Sequence, residues 1–276
     1  MIPIIMHDHS LPVKLSQIWI YPVKSLGGVR LKHAYVVREG LEYDRRWMIV
    51  DESGTFVTQR KLPEMSLLTV EMAKDGFTIE STRECCSRLF IPFNADYQNT
   101  IKVKVWNDLV EANPVGEEAD DWLSERLHTK VRLVAVADIS QRETFVESNR
   151  VTVPITFTDD FPIHLISESS LYELNTRLHE PVDIGRFRPN FVVTGDIPFA
   201  EDHWKKFQIG DAIFENISAC ERCVMININQ QTGVKTTEPL RTLAGYRRPE
   251  KHILFGRNVI WEQTGVIREG DVLRFL

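Results

Sequence analysis

Short runs of β-branched and aromatic residues, each closed by Gly or Asp, crowd this chain. They occur at residues 14–21, 33–38, 47–51, 67–72, 77–80 and 101–105, with turns such as Asp51-Glu52-Ser53-Gly54 and Lys74-Asp75-Gly76 between them. Runs this short suit strands, and close-set turns fold each strand back on the last. The pattern predicts a mainly β fold with a few helices, built as a barrel or sandwich. Helical periodicity is rare. Residues 117–127 place Ala119, Trp122, Leu123 and Leu127 on one face, and residues 167–178 present Leu171, Leu174 and Leu178. Either Ser167 or Ser170 can open the second helix. A strand over 131–136 followed by a polar stretch at 135–150 marks a boundary, dividing the chain into residues 12–135 and 136–276. Residues 264–276 read as a turn and a closing strand, with no tail after it.

Composition narrows the function classes. The 276 residues carry a net charge of -6, which argues against general nucleic-acid binding. No apolar run reaches the roughly 20 residues of a membrane span. The start, Met1-Ile2-Pro3-Ile4-Ile5-Met6-His7-Asp8, lacks the basic and apolar regions of a secretory signal. Four Cys are too few for a disulfide scaffold at this length, so a reducing, cytoplasmic setting with free thiols is expected.

Two of those thiols lie in Ala219-Cys220-Glu221-Arg222-Cys223, between strand-like runs at 212–217 and 224–228. A thiolate there can ligate a soft metal, act as a nucleophile, or be a small buried side chain. The spacing is half of a zinc site, but adjacent Cys85-Cys86 suits the other half poorly. A redox dithiol would open a helix, and a strand is expected after Cys223. Arg222 would favour a Cys223 thiolate if it pointed there. Lys24 and Ser25 sit in Tyr21-Pro22-Val23-Lys24-Ser25-Leu26-Gly27-Gly28, a loop able to approach an anion or simply to be solvated. Arg45 and Arg46 stand at a strand entry and point to opposite sides, one free to face a pocket or to pair with Asp44 or Glu42. Arg186 and Arg188 flank Phe187, and Pro189 is expected to hold Arg188 extended. Guanidinium groups at this spacing suit phosphate. His164, in an apolar run, reads as a core or edge histidine.

In order along the chain, Tyr21-Pro22-Val23-Lys24-Ser25, Asp44-Arg45-Arg46-Trp47, Arg186-Phe187-Arg188-Pro189-Asn190, Ala219-Cys220-Glu221-Arg222-Cys223, Glu238-Pro239-Leu240-Arg241-Thr242-Leu243 and Phe255-Gly256-Arg257-Asn258 resemble the MOSC family. The resemblance is to its two-part form, an N-terminal MOSC β-barrel domain followed by the MOSC domain, as in amidoxime-reducing components. It implies a molybdenum cofactor, Mo-molybdopterin, with Cys223 as thiolate ligand and catalytic residue and Cys220 as a neighbour. Lys24, Ser25, Arg45, Arg188 and Asn190 fall on positions that contact the pterin and its phosphate. Glu221, Arg222 and Asn258 align with further contacts, and Asp159 and Asp160 with a pterin-side loop. A pyridoxal-phosphate-like binding term also attaches to the resemblance.

The resemblance implies an oxidoreductase that removes oxygen from small N-hydroxylated compounds. Its electrons would come from a separate ferredoxin- or flavoprotein-type donor, unless a ferredoxin domain follows Leu276 in the full protein. One departure bears on the substrate. Where the reductases carry a Thr-Thr-Val-Asp-Pro-like stretch, this chain has Ile226-Asn227-Ile228-Asn229-Gln230. Two rival readings stay open: a non-catalytic carrier of sulfur or cofactor on Cys223, and a scaffold that has lost the cofactor.

Overall fold

A computed structural model describes residues 12–84, 87–95, 97, 99–137, 142–148, 150–195 and 197–276. Cys85-Cys86, the N-terminal octapeptide and part of the 135–150 boundary lie outside them. The fold is mainly β, as expected, with a few short helices. An eight-stranded sheet runs in the order Val29–Leu31, Leu15–Ile20, Phe191–Val193, Ile163–Ser167, Leu254–Gln263, Ala212–Glu221, Lys206–Ile209 and Arg274–Phe275. The first strands of the chain thus pair with strands from its second half. Trp47–Asp51, Val131–Val136, Asp108–Pro114 and Ile101–Val105 form a second sheet.

Most ladders are antiparallel, which short turns permit. Ile163–Ser167 and Phe191–Val193 pair in parallel, and this requires a crossover. The helix Glu168–Thr176 supplies part of it. Ser167 caps that helix, its Oγ accepting from Ser170 N at 3.2 Å. The other expected helix is Glu117–Leu127, with Ala119, Leu123 and Leu127 buried. These join Trp47, Ile49, Phe77 and Leu133 in one core. A second core gathers Leu15, Ile18, Ile20, Phe191, Phe207 and Phe214.

Two local expectations change. The strand expected over 212–217 continues to Glu221, so Cys220 is a strand residue. The strand expected over 224–228 is instead a 3-10 helix, Val224–Asn227. Apolar Val-Met-Ile reads equally well as a short buried helical turn, and tertiary context decides. Here Asn227 ties the turn down: its Oδ1 accepts from Leu240 N at 3.0 Å.

Candidate active site

Two loops are stitched together at the base of a cleft. The strand Leu15–Ile20 runs out into Tyr21-Pro22-Val23-Lys24-Ser25, and the Asp44-Arg45-Arg46 turn lies against it. Arg45 N donates to Tyr21 O (2.9 Å), Trp47 N to Pro22 O (3.0 Å) and Lys24 N to Trp47 O (2.8 Å). Lys24 is therefore carried inside, leaving 5% of it exposed. Its Nζ donates to Phe157 O at 2.7 Å and pairs with Asp159 Oδ1 at 2.5 Å. Burial lowers the pKa of Lys24 despite the opposing pull of Asp159. Burial also pushes Asp159 upward, but the charge and hydrogen bond of Lys24, with the Trp106 hydrogen bond and the Arg60 charge, together outweigh it and hold the carboxyl well below its usual range.

A polar network stands beside this pair. Asp44 is buried, accepts from Tyr21 N at 2.7 Å and bonds to the Arg45 guanidinium. Burial pushes the Asp44 carboxyl up, against these bonds. Asn190 Oδ1 accepts from Arg45 Nη1 (3.0 Å) and His164 N (3.2 Å), while Nδ2 donates to Trp19 O and Asp44 Oδ2, each at 3.1 Å. Both ends of the Asn190 amide are thus engaged within the protein. The Tyr21 ring lies near two guanidinium groups, Arg45 at 4.4 Å and Arg188 at 4.1 Å. Arg188 Nη1 donates to Leu26 O at 2.6 Å, and burial brings its pKa down to about 10.

Ser25 (φ 67°), Arg45 (φ 49°) and Arg188 (φ 52°) all hold left-handed backbone. Each such residue costs about 1–3 kcal/mol and persists only where its surroundings impose it. Arg188 corrects the expectation that Pro189 would keep it extended. It is the C-cap of the 3-10 helix Ile184–Phe187, and its N–H donates to Gly185 O. That cap overrides the usual bias before proline and turns the Arg188 side chain toward Tyr21.

The thiol wall comes from paired strands with bulges. Ala219 pairs with Arg257 and Glu221 with Leu254, so the ladder shifts around Cys220. Gly256 lies in this shift at φ 79°, where a Cβ would come within 2.4 Å of His164 Nε2. The bulge explains the Gly of Phe255-Gly256-Arg257-Asn258. Arg222 does not face Cys223: its Nη1 donates to Cys220 Sγ at 3.1 Å and Nη2 to Phe187 O at 2.8 Å. Burial raises the Cys220 thiol, with Arg222 opposing. The guanidinium near Cys223 is that of Arg60, with Nη1 3.8 Å from Sγ. Cys223 itself is exposed.

All nine residues singled out from the sequence border one cleft: Lys24, Ser25, Arg45, Arg188, Asn190, Glu221, Arg222, Cys223 and Asn258. Asp159, Asp160 and His164 line it too. His164 is buried as expected, and desolvation with nearby Arg222 keeps its pKa well below the ordinary imidazole value. The Glu221 carboxylate turns to His252 Nδ1 at 2.9 Å, while Asn258 Nδ2 donates to Ser218 Oγ at 3.1 Å. Sequence reasoning missed Thr58, Arg60, Thr158 and Phe187, which share the lining. Only Arg60, a charge beside the β run 47–51, left a trace that could have drawn notice.

Comparison with known proteins places this architecture. Residues 13–130 match the MOSC N-terminal beta barrel domain, and residues 152–274 match the MOSC domain. Mitochondrial amidoxime-reducing component 1 of Homo sapiens is 31% identical over 95% of this chain and 82% of its own length. The chain belongs to the MOSC family. Among other MOSC relatives, mitochondrial amidoxime reducing component 2 of Rattus norvegicus is 31% identical over 93% of this chain and 81% of its own. Molybdenum cofactor sulfurase of Oryza sativa subsp. japonica is 34% identical over 94% of this chain but 33% of its own. The chain therefore spans a third of the sulfurase and about four fifths of the amidoxime-reducing components. MOSC membership and these relatives point to an association with the molybdenum cofactor. They lend nothing to the pyridoxal phosphate expectation. Among the described residues no helix is long and apolar enough to cross a membrane.

Proposed function

We propose that this protein binds the molybdenum cofactor in the cleft and removes oxygen from small N-hydroxylated compounds. One observation carries the reading: an exposed thiol, Cys223, shares a single cleft with a buried set of cationic groups. The donor set suits a phosphorylated pterin. Beyond Leu26, the Arg188 side chain has no hydrogen-bond partner among the described residues. Thr158 Oγ1 and Arg186 Nη1 are buried without one. Such groups favour a bound anion with many acceptors.

Cys223 would give its thiolate to the metal, a soft ligand for a soft site. Arg188, Lys24, Ser25 and Arg45 would hold the pterin and its phosphate, and Asn190 would fix Arg45 and Asp44 in place. Arg222 braces Cys220 and thereby the strand end that presents Cys223. Glu221 and Asn258 would shape the rim. When bound, the cofactor supplies two-electron chemistry that takes an N–OH group, two electrons and two protons to N–H and water. The electrons would come from a separate ferredoxin- or flavoprotein-type protein, in the cytoplasm.

Metal analysis after expression with molybdate tests this, with Cys223→Ser beside the parent. Stoichiometric molybdenum that is lost in Cys223→Ser, with turnover of an N-hydroxylated substrate under a chemical reductant, is expected. Molybdenum and turnover retained in Cys223→Ser would refute the ligand role.

A second reading, a carrier of sulfur or cofactor on Cys223, draws support from the similarity to a sulfurase over nearly the whole chain. It predicts gain of one sulfur atom on Cys223 in the intact mass, without turnover.

A further inference from the structure

Trp106 holds a position that the cofactor set does not account for. It sits in the turn between Ile101–Val105 and Asp108–Pro114, at φ 56°. A bulky residue in left-handed backbone is an outlier, and such strain gathers at functional sites. The indole is nevertheless 43% exposed. Three contacts fix it: Nε1 donates to Asp159 Oδ1 at 3.0 Å, Phe56 packs 5.1 Å away, and Arg60 covers it at 4.6 Å. Through Asp159 the indole is tied to Lys24, and through Arg60 it reaches Cys223. Beyond Asp159 and Asp160 a second hollow opens, lined by Trp106, Asp108 and Arg142.

The Arg60 guanidinium is a flat, conjugated nitrogen group. It rests on an exposed indole with one nitrogen 3.8 Å from the Cys223 sulfur. No carboxylate lies within ion-pair distance of it among the described residues; stacking, the thiol and the nearby charge of Asp159 hold it there. A flat conjugated nitrogen compound offers the same face to the indole and can replace Arg60.

We propose that Trp106 determines specificity: its indole receives flat, conjugated N-hydroxylated substrates, such as aromatic amidoximes, in the place that Arg60 covers beside Cys223. This inference rests on the reductase reading for its substrate class, but the platform itself can be tested without turnover.

The test compares Trp106→Ala, Trp106→Phe and the parent, each loaded with molybdenum and supplied with a chemical reductant. Benzamidoxime and an aliphatic N-alkylhydroxylamine serve as substrates. Loss of one aromatic contact should lower the benzamidoxime-to-aliphatic ratio of kcat/KM by about 5- to 10-fold in Trp106→Ala, mainly through KM. Trp106→Phe, which keeps a ring, should restore most of that ratio. Quenching of tryptophan fluorescence by benzamidoxime is the second readout, and should be weakened in both variants. A fall shared equally by both substrates, with lost molybdenum, would make Trp106 a strut for Asp159 and overturn the proposal. Quenching that depends on Trp106 in a parent with no turnover would keep the platform and reject the reductase reading. Equal quenching in parent and variants would also overturn the proposal.

Discussion

Replacing Asn190 by Ala should be among the most damaging single changes near the cleft. Asn190 is 1% exposed, and its amide holds four groups together: the Arg45 guanidinium, the Asp44 carboxylate, His164 N and Trp19 O. Bonds to the two charged groups contribute about 1.5–3 kcal/mol each, and those to the two neutral groups about 0.5–1.5 kcal/mol each. The bonds are not additive, because water entering the space left behind re-solvates some of these groups. The expected loss is therefore about 3–5 kcal/mol, near the upper end for single substitutions. It should vary with pH. Burial already raises the Asp44 pKa above its unfolded value, so charging Asp44 in the fold is unfavourable. Asn190 donates to the charged form, so its removal raises that pKa further. The defect should be largest where Asp44 is ionised and shrink as pH falls through its raised folded pKa. Urea unfolding of cofactor-free protein at neutral and mildly acidic pH measures this, with an unchanged slope showing that mutant and parent expose the same surface on unfolding. A loss below about 1 kcal/mol would refute the view that this amide organises the cleft.

Further outcomes follow from the same geometry. Gly256→Ala should destabilise by about 2–4 kcal/mol, since φ 79° strains the new residue and its Cβ meets His164 Nε2 and Leu165 O; thermal unfolding checks this. Asp159→Asn should destabilise at neutral pH. The folded Asp159 pKa lies below its ordinary 3.8, so its contribution is present above that value and lost as pH falls through the folded pKa. The gap between mutant and parent should therefore narrow in an acid titration followed by fluorescence. Cys220→Ser should retain molybdenum, because the Cys220 thiol faces Arg222; metal loss equal to that of Cys223→Ser would contradict this.

The strands were legible because the signal is local. Residues 47–51, 101–105 and 131–136 alternate or run apolar between turns, and Glu117–Leu127 repeats its apolar face with helical period. Residues 224–228 misled for the same reason: a run of five with no period serves a strand or a helical turn. Pairing was less legible. Nothing in residues 15–20 shows that they hydrogen-bond to residues 191–193, because backbone ladders carry no side-chain code across that distance in sequence.

The site divides along the same line. Motif order was enough to pick nine residues from five separate segments that the fold brings to one cleft. Aim was decided in three dimensions. Arg222 turned to Cys220 and left Cys223 to Arg60, a residue 163 positions away. Arg188 took left-handed backbone because a short helix ended there, against the local preference imposed by Pro189. Lys24 became a buried cation only when Asp159, brought in by a different loop, stood opposite it. Local chemistry sets which groups a segment can offer; which group each one meets depends on packing between segments distant in the chain.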